Sequence, residues 1–167
     1  MPEFHNIPPI FDSSSRALIL GSFPSSLSRK AVFYYANVQN RFWRVLCEIL
    51  GAPLLETDEQ KSALLLHHNI ALWDVAASCD ISKSSDSSIR SVLPNDIERI
   101  IASSDIKFIF TNGAAAHKLY STLILPRTKL EAHRLPSTSS ANAAFSFERL
   151  VEEWSIVAAA VNAKKES

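Results

Sequence analysis

Glycine is scarce in this chain of 167 residues: three against eight prolines. So few glycines suggest that each marks a backbone position with its own requirement. The two cysteines, Cys47 and Cys79, are too few for a disulfide scaffold or a four-cysteine metal cluster. Both sit among apolar neighbours, which suits buried thiols. None of His67, His68, His117 and His133 falls in a metal-ligand spacing with cysteine or acid partners, so the expectation is no metal and no other cofactor. Excess charge is missing too, because 17 basic residues balance 17 acidic ones. No global positive field announces nucleic acid, although a local basic face is compatible with this balance. Long apolar runs of 18 or more are absent, which predicts no transmembrane helix and no membrane partner. The start, Met1-Pro2-Glu3-Phe4-His5, has neither a basic nor an apolar leader region, so the expected compartment is the cytoplasm. Gly21-Ser22-Phe23-Pro24-Ser25 lacks the Gly-x-Ser-x-Gly elbow of serine hydrolases. Phosphate-loop and dinucleotide fingerprints are missing as well.

What is present is ordinary globular composition, 47% hydrophobic and 20% charged, enough for one domain over residues 1–167. Its core is expected over about 8–160, ahead of a charged tail at Lys164-Lys165-Glu166. Four short apolar runs, bounded by turn residues, read as strands buried on both faces: Arg16–Leu20, Ile70–Val75, Ile106–Phe110 and Lys129–Leu135. Between them, Phe42, Val45, Leu46 and Ile49 recur at helical spacing, with Asn40 as candidate N-cap and Gly51 as terminator. Thr57-Asp58-Glu59-Gln60 has capping-box spacing and starts a helix toward His68. Further helices are predicted from Asp96 to Ser103, from Ala114 to Tyr120, and from near Ala143 through Trp154. Ser22–Ala31 and Cys79–Ser88 read as loops. The alternation predicts a three-layer α/β/α sandwich around a four-stranded parallel sheet.

Each predicted strand ends in small or polar residues: Gly21-Ser22, Asp74, Thr111-Asn112 and Pro136-Ser137-Thr138. Right-handed crossovers bring all four ends to one sheet edge, where α/β folds hold their ligands. A site is expected there.

The motifs along this edge resemble those of the uracil-DNA glycosylase superfamily, most closely its DNA-deoxyinosine (hypoxanthine) branch. The resemblance rests on Leu20-Gly21-Ser22-Phe23-Pro24-Ser25, Tyr34-Tyr35-Ala36-Asn37 through Asn40-Arg41-Phe42-Trp43, Ala71-Leu72-Trp73-Asp74-Val75, Ser85-Asp86-Ser87-Ser88-Ile89, Pro94-Asn95-Asp96-Ile97, Phe110-Thr111-Asn112-Gly113 and Leu135-Pro136-Ser137-Thr138-Ser139. They occur in the family's order and span about Pro8 to Trp154. The resemblance implies a monomeric DNA-repair glycosylase that flips a deaminated base, hypoxanthine or uracil, out of DNA. It would hydrolyse the N-glycosidic bond without metal or covalent intermediate and leave an abasic site. A second reading is a non-catalytic nucleic-acid or nucleotide-binding module on the same fold.

Residue by residue, the resemblance puts base contacts at Gly21, Ser22, Phe23, Tyr35, Asp74 and Asn112. It puts DNA contacts at Ser25, Lys83, Ser137, Thr138 and Ser139. Many relatives carry Asp or Asn where Phe23 stands; Phe23 has no hydrogen-bonding group, so the catalytic task passes to Asn40. Its carbonyl could orient a water while its amide donates to the base; its plainer role is a helix cap. Asp74 could accept from N1–H of hypoxanthine or N3–H of uracil, or act as a cap or ion-pair partner. Leu135 replaces a histidine of the most active uracil enzymes. Val38 and Ser140 stand where proline is common, and Lys83 where glycine is common. No large apolar wedge is present in Ser137–Ala141. Arg29, Lys30, Arg41 and Arg44 add positive charge beside the first loop, or form a solvated face.

Overall fold

The computed structural model describes residues 2–81 and 89–162; Lys83, the Ser85–Ser88 part of one motif and the charged tail lie outside them. In chain order the elements are β1 (Pro2–Phe4), β2 (Ala17–Gly21), α1 (Ser26–Ala31), α2 (Phe42–Leu50), α3 (Asp58–His67), β3 (Ile70–Asp74) and β4 (Ala76–Ile81). There follow β5 (Ile89–Pro94), α4 (Ile97–Ala102), β6 (Phe108–Asn112), α5 (Ala114–Leu123), α6 (Leu125–Thr128), β7 (Ala132–Leu135) and α7 (Phe147–Asn162).

The apolar runs Ala17–Gly21 and Ile70–Asp74 are buried throughout, as befits strands covered on both faces. They pair with each other in a four-stranded sheet in the order β3-β2-β6-β7, β2 inside it and β3 at one edge, parallel at every pairing. Register sets Gly21 opposite Asp74, Leu20 opposite Thr111 and Asn112 opposite Leu135. The four strand ends therefore meet at one edge, as expected. From β2 the chain crosses to β3, on one side; from β6 it crosses to β7, on the other. Right-handed crossovers in opposite directions lay α2 and α3 on one face and α5 on the other. The neighbouring ends of β2 and β6 thus flank a switch point, where a crevice opens. Helix α7 closes the α2 face by packing against that helix.

Local chemistry fixes the helix starts. Thr57 accepts from Gln60 N–H while the Gln60 side chain accepts from Thr57 N–H, the reciprocal box predicted there. Asp96 caps α4 through Arg99 N–H. Gly51, at φ +66°, ends α2 in the left-handed region that favours glycine.

Several boundaries differ from expectation. Ser22–Ala31 is not loop throughout: Ser25 accepts from Ser28 N–H and starts α1. Cys79 belongs not to a loop but to β4, which pairs antiparallel with β1 and β5 in a second sheet ordered β1-β4-β5. Ser78 and Asp80 hid the strand, and two register irregularities break its alternation. The fourth parallel strand starts at Ala132 rather than Lys129, because Lys129, at φ 60°, closes α6 in the left-handed region instead of extending. Helix α7 starts at Phe147 rather than near Ala143, where Ser146 Oγ accepts from Arg149 N–H.

Residues 137–145 carry no regular element, yet they are pinned from within. The Arg41 guanidinium donates to the carbonyls of Ser139 (2.8 Å), Asn142 (3.1 Å) and Phe145. Trp154, fully buried, donates through Nε1 to the Pro136 carbonyl at 2.9 Å. Arg41→Met keeps most of the apolar stem and deletes the fork. We expect it to lower the unfolding free energy by about 2 kcal/mol, the scale of a charged hydrogen-bond set, as read by urea denaturation; unchanged stability would show that the loop is held by other contacts.

Candidate active site at the carboxyl edge of the sheet

A cleft of about 630 Å³ opens where the four strands end. Its floor is Gly21, Asp74 and Asn112; its walls are Ser22–Ser26, Tyr35, Asn37, Asn40 and Ser137–Ser139. Backbone bonds from Val75 N–H to Gly21 O and from Ala76 N–H to Ser22 O splice the β3 exit onto the first loop.

Gly21 is needed for close approach. A Cβ there would lie 2.3 Å from Asp74 Oδ1 and 3.0 Å from Tyr35 Oη. Only a hydrogen lets the carboxylate lie across the strand end. Asp74 is 4% exposed. Its Oδ2 is held at 2.8 Å by His5 Nε2, a residue sixty-nine positions away. Its backbone carbonyl accepts from the buried Asn95 amide at 2.9 Å. Oδ1 is the oxygen left for the cleft.

Asn40, Tyr35, Asn112 and Thr138 form one network, and backbone N–H groups set its direction. Thr138 N–H donates to Asn112 Oδ1 at 3.1 Å, so Asn112 Nδ2 is the donor end. That Nδ2 spends one hydrogen on Tyr35 Oη (3.1 Å) and one on Thr138 Oγ1 (3.0 Å). Thr138 Oγ1 in turn donates to Asn40 Oδ1 at 2.8 Å. Phe42 N–H also donates to Asn40 Oδ1, at 2.9 Å. An amide oxygen has two lone pairs, and both are used. Asn40 therefore presents its Nδ2 hydrogens to the cleft.

Tyr35 reaches this network through a left-handed backbone, φ 53°, with its ring stacked 4.0 Å from Phe42. Burial pushes its hydroxyl far above the ordinary tyrosine range, and the Asp74 charge adds to this while the Asn112 bond opposes it. Tyr34 is raised in the same way, first by burial and then by Asp74 and Tyr35.

Most of the sequence-predicted residues converge here, in differing parts. Gly21, Ser22, Phe23, Tyr35, Asp74 and Asn40 line the cleft together. Phe23 has the Arg29 guanidinium over its ring at 5.3 Å. Asn112 lines the cleft too, with both Nδ2 hydrogens given to Tyr35 and Thr138 and one bond accepted at Oδ1 from Thr138 N–H, so it braces the site as well as facing it. Thr138 is fully buried, with its amide, hydroxyl and carbonyl all engaged within the protein. Ser25 caps α1, while Ser137 and Ser139 accept from Ser139 and Ala141 N–H, respectively. Asn40 makes a cap's bond one residue before the capping position of α2. Tyr34 is packing, since its hydroxyl donates to the Pro8 carbonyl at 2.8 Å. Arg29 pairs with Glu3 and Arg41 grips carbonyls, so neither forms a purely solvated face. His5 was missed: a lone histidine near the start carries no spacing signal. Among the described residues, no group of three or more His, Cys, Asp or Glu is arranged to hold a metal ion, and no helix is long and apolar enough to cross a membrane.

The family model for the uracil DNA glycosylase superfamily matches residues 8–158. The chain belongs to that superfamily. Within it, a hypoxanthine DNA glycosylase of Methanosarcina acetivorans is 36% identical over 152 residues, covering 90% of this chain and 94% of the relative. A hypoxanthine DNA glycosylase of Methanosarcina barkeri is 41% identical over 69 residues, 41% of this chain and 44% of that one. A solution NMR structure from Methanosarcina acetivorans, provisionally assigned as a uracil DNA glycosylase, superposes with a TM-score of 0.83 at 33% identity, covering 97% of this chain and 99% of the other. The superfamily fold is thus matched across both sheets. Its membership makes this protein a DNA glycosylase, a hydrolase of N-glycosidic bonds.

Two outcomes follow from the geometry. Gly21→Ala drives a methyl group into Asp74 Oδ1 and should cut base release at least tenfold, about 1.4 kcal/mol, while circular dichroism stays native; full activity would mean that the carboxylate can move away freely. All three tyrosines, Tyr34, Tyr35 and Tyr120, are raised above the ordinary value of 10.0, chiefly by burial. The folded state then keeps protons that the unfolded chain loses, so stability is intact below pH 10 and falls as pH rises above it. Absorbance near 295 nm should report tyrosinate only as the protein unfolds; a native-state transition near pH 10 would contradict the assignment.

Proposed function

We propose that the protein releases hypoxanthine from DNA, acting on the deaminated base after it has been flipped into the cleft at the ends of β2, β3, β6 and β7. The observation that carries this reading is the opposed polarity of the cleft, with Asp74 Oδ1 as acceptor and Asn40 Nδ2 as donor. Hypoxanthine offers N1–H to the first and ring or carbonyl acceptors to the second. Uracil offers N3–H and carbonyls in the same sense, and is the second substrate to test. The names of the two Methanosarcina relatives support the purine.

In this reading the C1′–N9 bond breaks with its electron pair leaving on the base, and water adds to the electron-deficient C1′. The proton that the water loses ends on the departing base. Asn40, with its carbonyl occupied by Phe42 N–H and Thr138 Oγ1, acts by donating to the base as negative charge develops. Donors fixed before the reaction cost no reorganisation during it. An amide is a weak base, so a modest rate fits. Phe23, half-buried at the cleft wall, supplies apolar contact to the base. Ser25, Ser137 and Ser139 at the rim are the groups proposed to meet DNA phosphates. The protein is taken to act as a monomer without metal, in the cytoplasm; the free, buried thiols of Cys47 and Cys79 fit a reducing compartment.

Single-lesion duplexes, heated in alkali to break abasic sites, test the function. Hypoxanthine duplexes should be cut and undamaged ones left intact; no cutting of hypoxanthine or uracil at high enzyme excess would favour a non-catalytic DNA-binding module. Asn40→Ala should lower the single-turnover rate at least tenfold, about 1.4 kcal/mol. Asn40→Asp, which keeps an acceptor but loses the donor, should fall equally. An active Asn40→Asp would instead assign the residue to water activation.

A further inference from the structure

The N-terminal segment is not needed to complete the parallel sheet, yet it is tied down at every step. Strand β1 pairs with β4, and His5 N–H donates to the Ala77 carbonyl at 2.7 Å. Glu3 pairs with Arg29, Asn6 Nδ2 donates to the Arg29 carbonyl, and Ile10 exchanges backbone bonds with Leu72. The result is delivery of one imidazole to Asp74. The His5 side chain is 3% exposed and Asp74's is 6%. The rings of Phe23, Tyr34 and Trp73 surround the imidazole at 6.2 to 6.3 Å, two of them edge-on.

Its tautomer follows from the backbone. Ile7 N–H donates to His5 Nδ1 at 3.2 Å, and a backbone N–H can only donate. Nδ1 is therefore bare, and Nε2 carries the hydrogen that meets Asp74 Oδ2 at 2.8 Å. An N–H given to an ionised carboxylate makes a stronger bond than one given to a neutral acid. Oδ2 is thus fixed as an acceptor, and the carboxylate cannot rotate without breaking this bond. Gly21 leaves the space that Oδ1 occupies, since a Cβ there would lie 2.3 Å from it.

We propose that His5 is a positioning residue that holds Asp74 as an acceptor-only carboxylate, so that the cleft selects a deaminated base over the adenine or cytosine it came from. Deamination of adenine turns a bare N1 into N1–H, and deamination of cytosine does the same at N3. A fixed acceptor rewards that hydrogen and meets the bare nitrogen of the parent adenine or cytosine lone pair to lone pair; guanine and thymine, which carry a ring N–H already, are turned away by other features of the cleft or not at all. The selectivity therefore begins at residue 5, outside the motifs that line the cleft. This inference rests on the base-release reading above and adds to it the origin of the acceptor's orientation.

The test uses the full chain with three substitutions. Gln at position 5 can bring an amide donor to the place of Nε2; Asn is too short, and Leu has no donor. Single-turnover release of hypoxanthine should stay within about threefold of wild type in His5→Gln. It should fall at least tenfold in His5→Asn and His5→Leu, with binding of an abasic product duplex unchanged in all three. In an Asp74→Asn background, His5→Asn should cost nothing further, because the partner through which it acts is already altered. Equal losses in the Gln and Asn variants, or a full additional loss in the Asp74→Asn background, would overturn the proposal. Side-chain ¹⁵N NMR of the wild-type protein needs no substrate: it should show His5 neutral with hydrogen on Nε2. An Nδ1–H tautomer would overturn the positioning claim even if hypoxanthine release is found. Absence of release beside the expected tautomer would count against the substrate assignment alone.

Discussion

Two backbone N–H groups, those of Phe42 and Thr138, decide what the cleft can do. Neither can accept, so each forces the amide facing it to present oxygen. From those fixed ends the direction of every bond among Asn112, Thr138, Asn40 and Tyr35 follows. Leaving any member unpaired in so buried a place would cost far more than the bond itself returns. The network therefore holds as a unit, and its outlet is a pair of hydrogens on Asn40. Facing them, the His5 bond leaves one oxygen of Asp74. Opposed polarity across a small space is a property of the whole frame, since the frame sets which atom of each side chain is free.

The parallel sheet was legible in the sequence because its strands are short apolar runs ended by turn residues. Burial on both faces leaves no other reading for Ala17–Leu20 or Ile70–Trp73. The convergence of Gly21, Asp74 and Asn112 followed from chain order and crossover handedness alone. The antiparallel sheet was not legible. Its middle strand, Ala-Ala-Ser-Cys-Asp-Ile, has turn-like composition, and pairing with β1 and β5 overrides local preference. Helix α1, at six residues, is too short for periodicity to reveal.

At the site, residue types were readable but their divisions of labour were not. Asn112 and Thr138 sit in motifs that suggest ligand contact, and only the folded chain shows how many of their polar atoms are engaged with each other, Tyr35, Asn40 and Arg41. Asn40 was rightly located beside the cleft, yet the choice between its oxygen and its nitrogen depended on Thr138, ninety-eight positions away. His5 gave no signal at all. Its partner is sixty-nine positions distant, and no spacing rule reaches across such a gap.

The loop gripped by Arg41 has a consequence for how the protein comes into being. All four strands of the parallel sheet are complete by Leu135. By that point the chain has its carboxylate and its first loop, but not the Ser137–Ser139 wall of the cleft or the core side chains of α7. Asn40, however, still lacks the Thr138 hydroxyl, and Arg41 lacks the three carbonyls that it holds. A polypeptide emerging in order from its N-terminus thus gains the cleft's polarity only after its parallel strands, and the core side chains of α7 come later still.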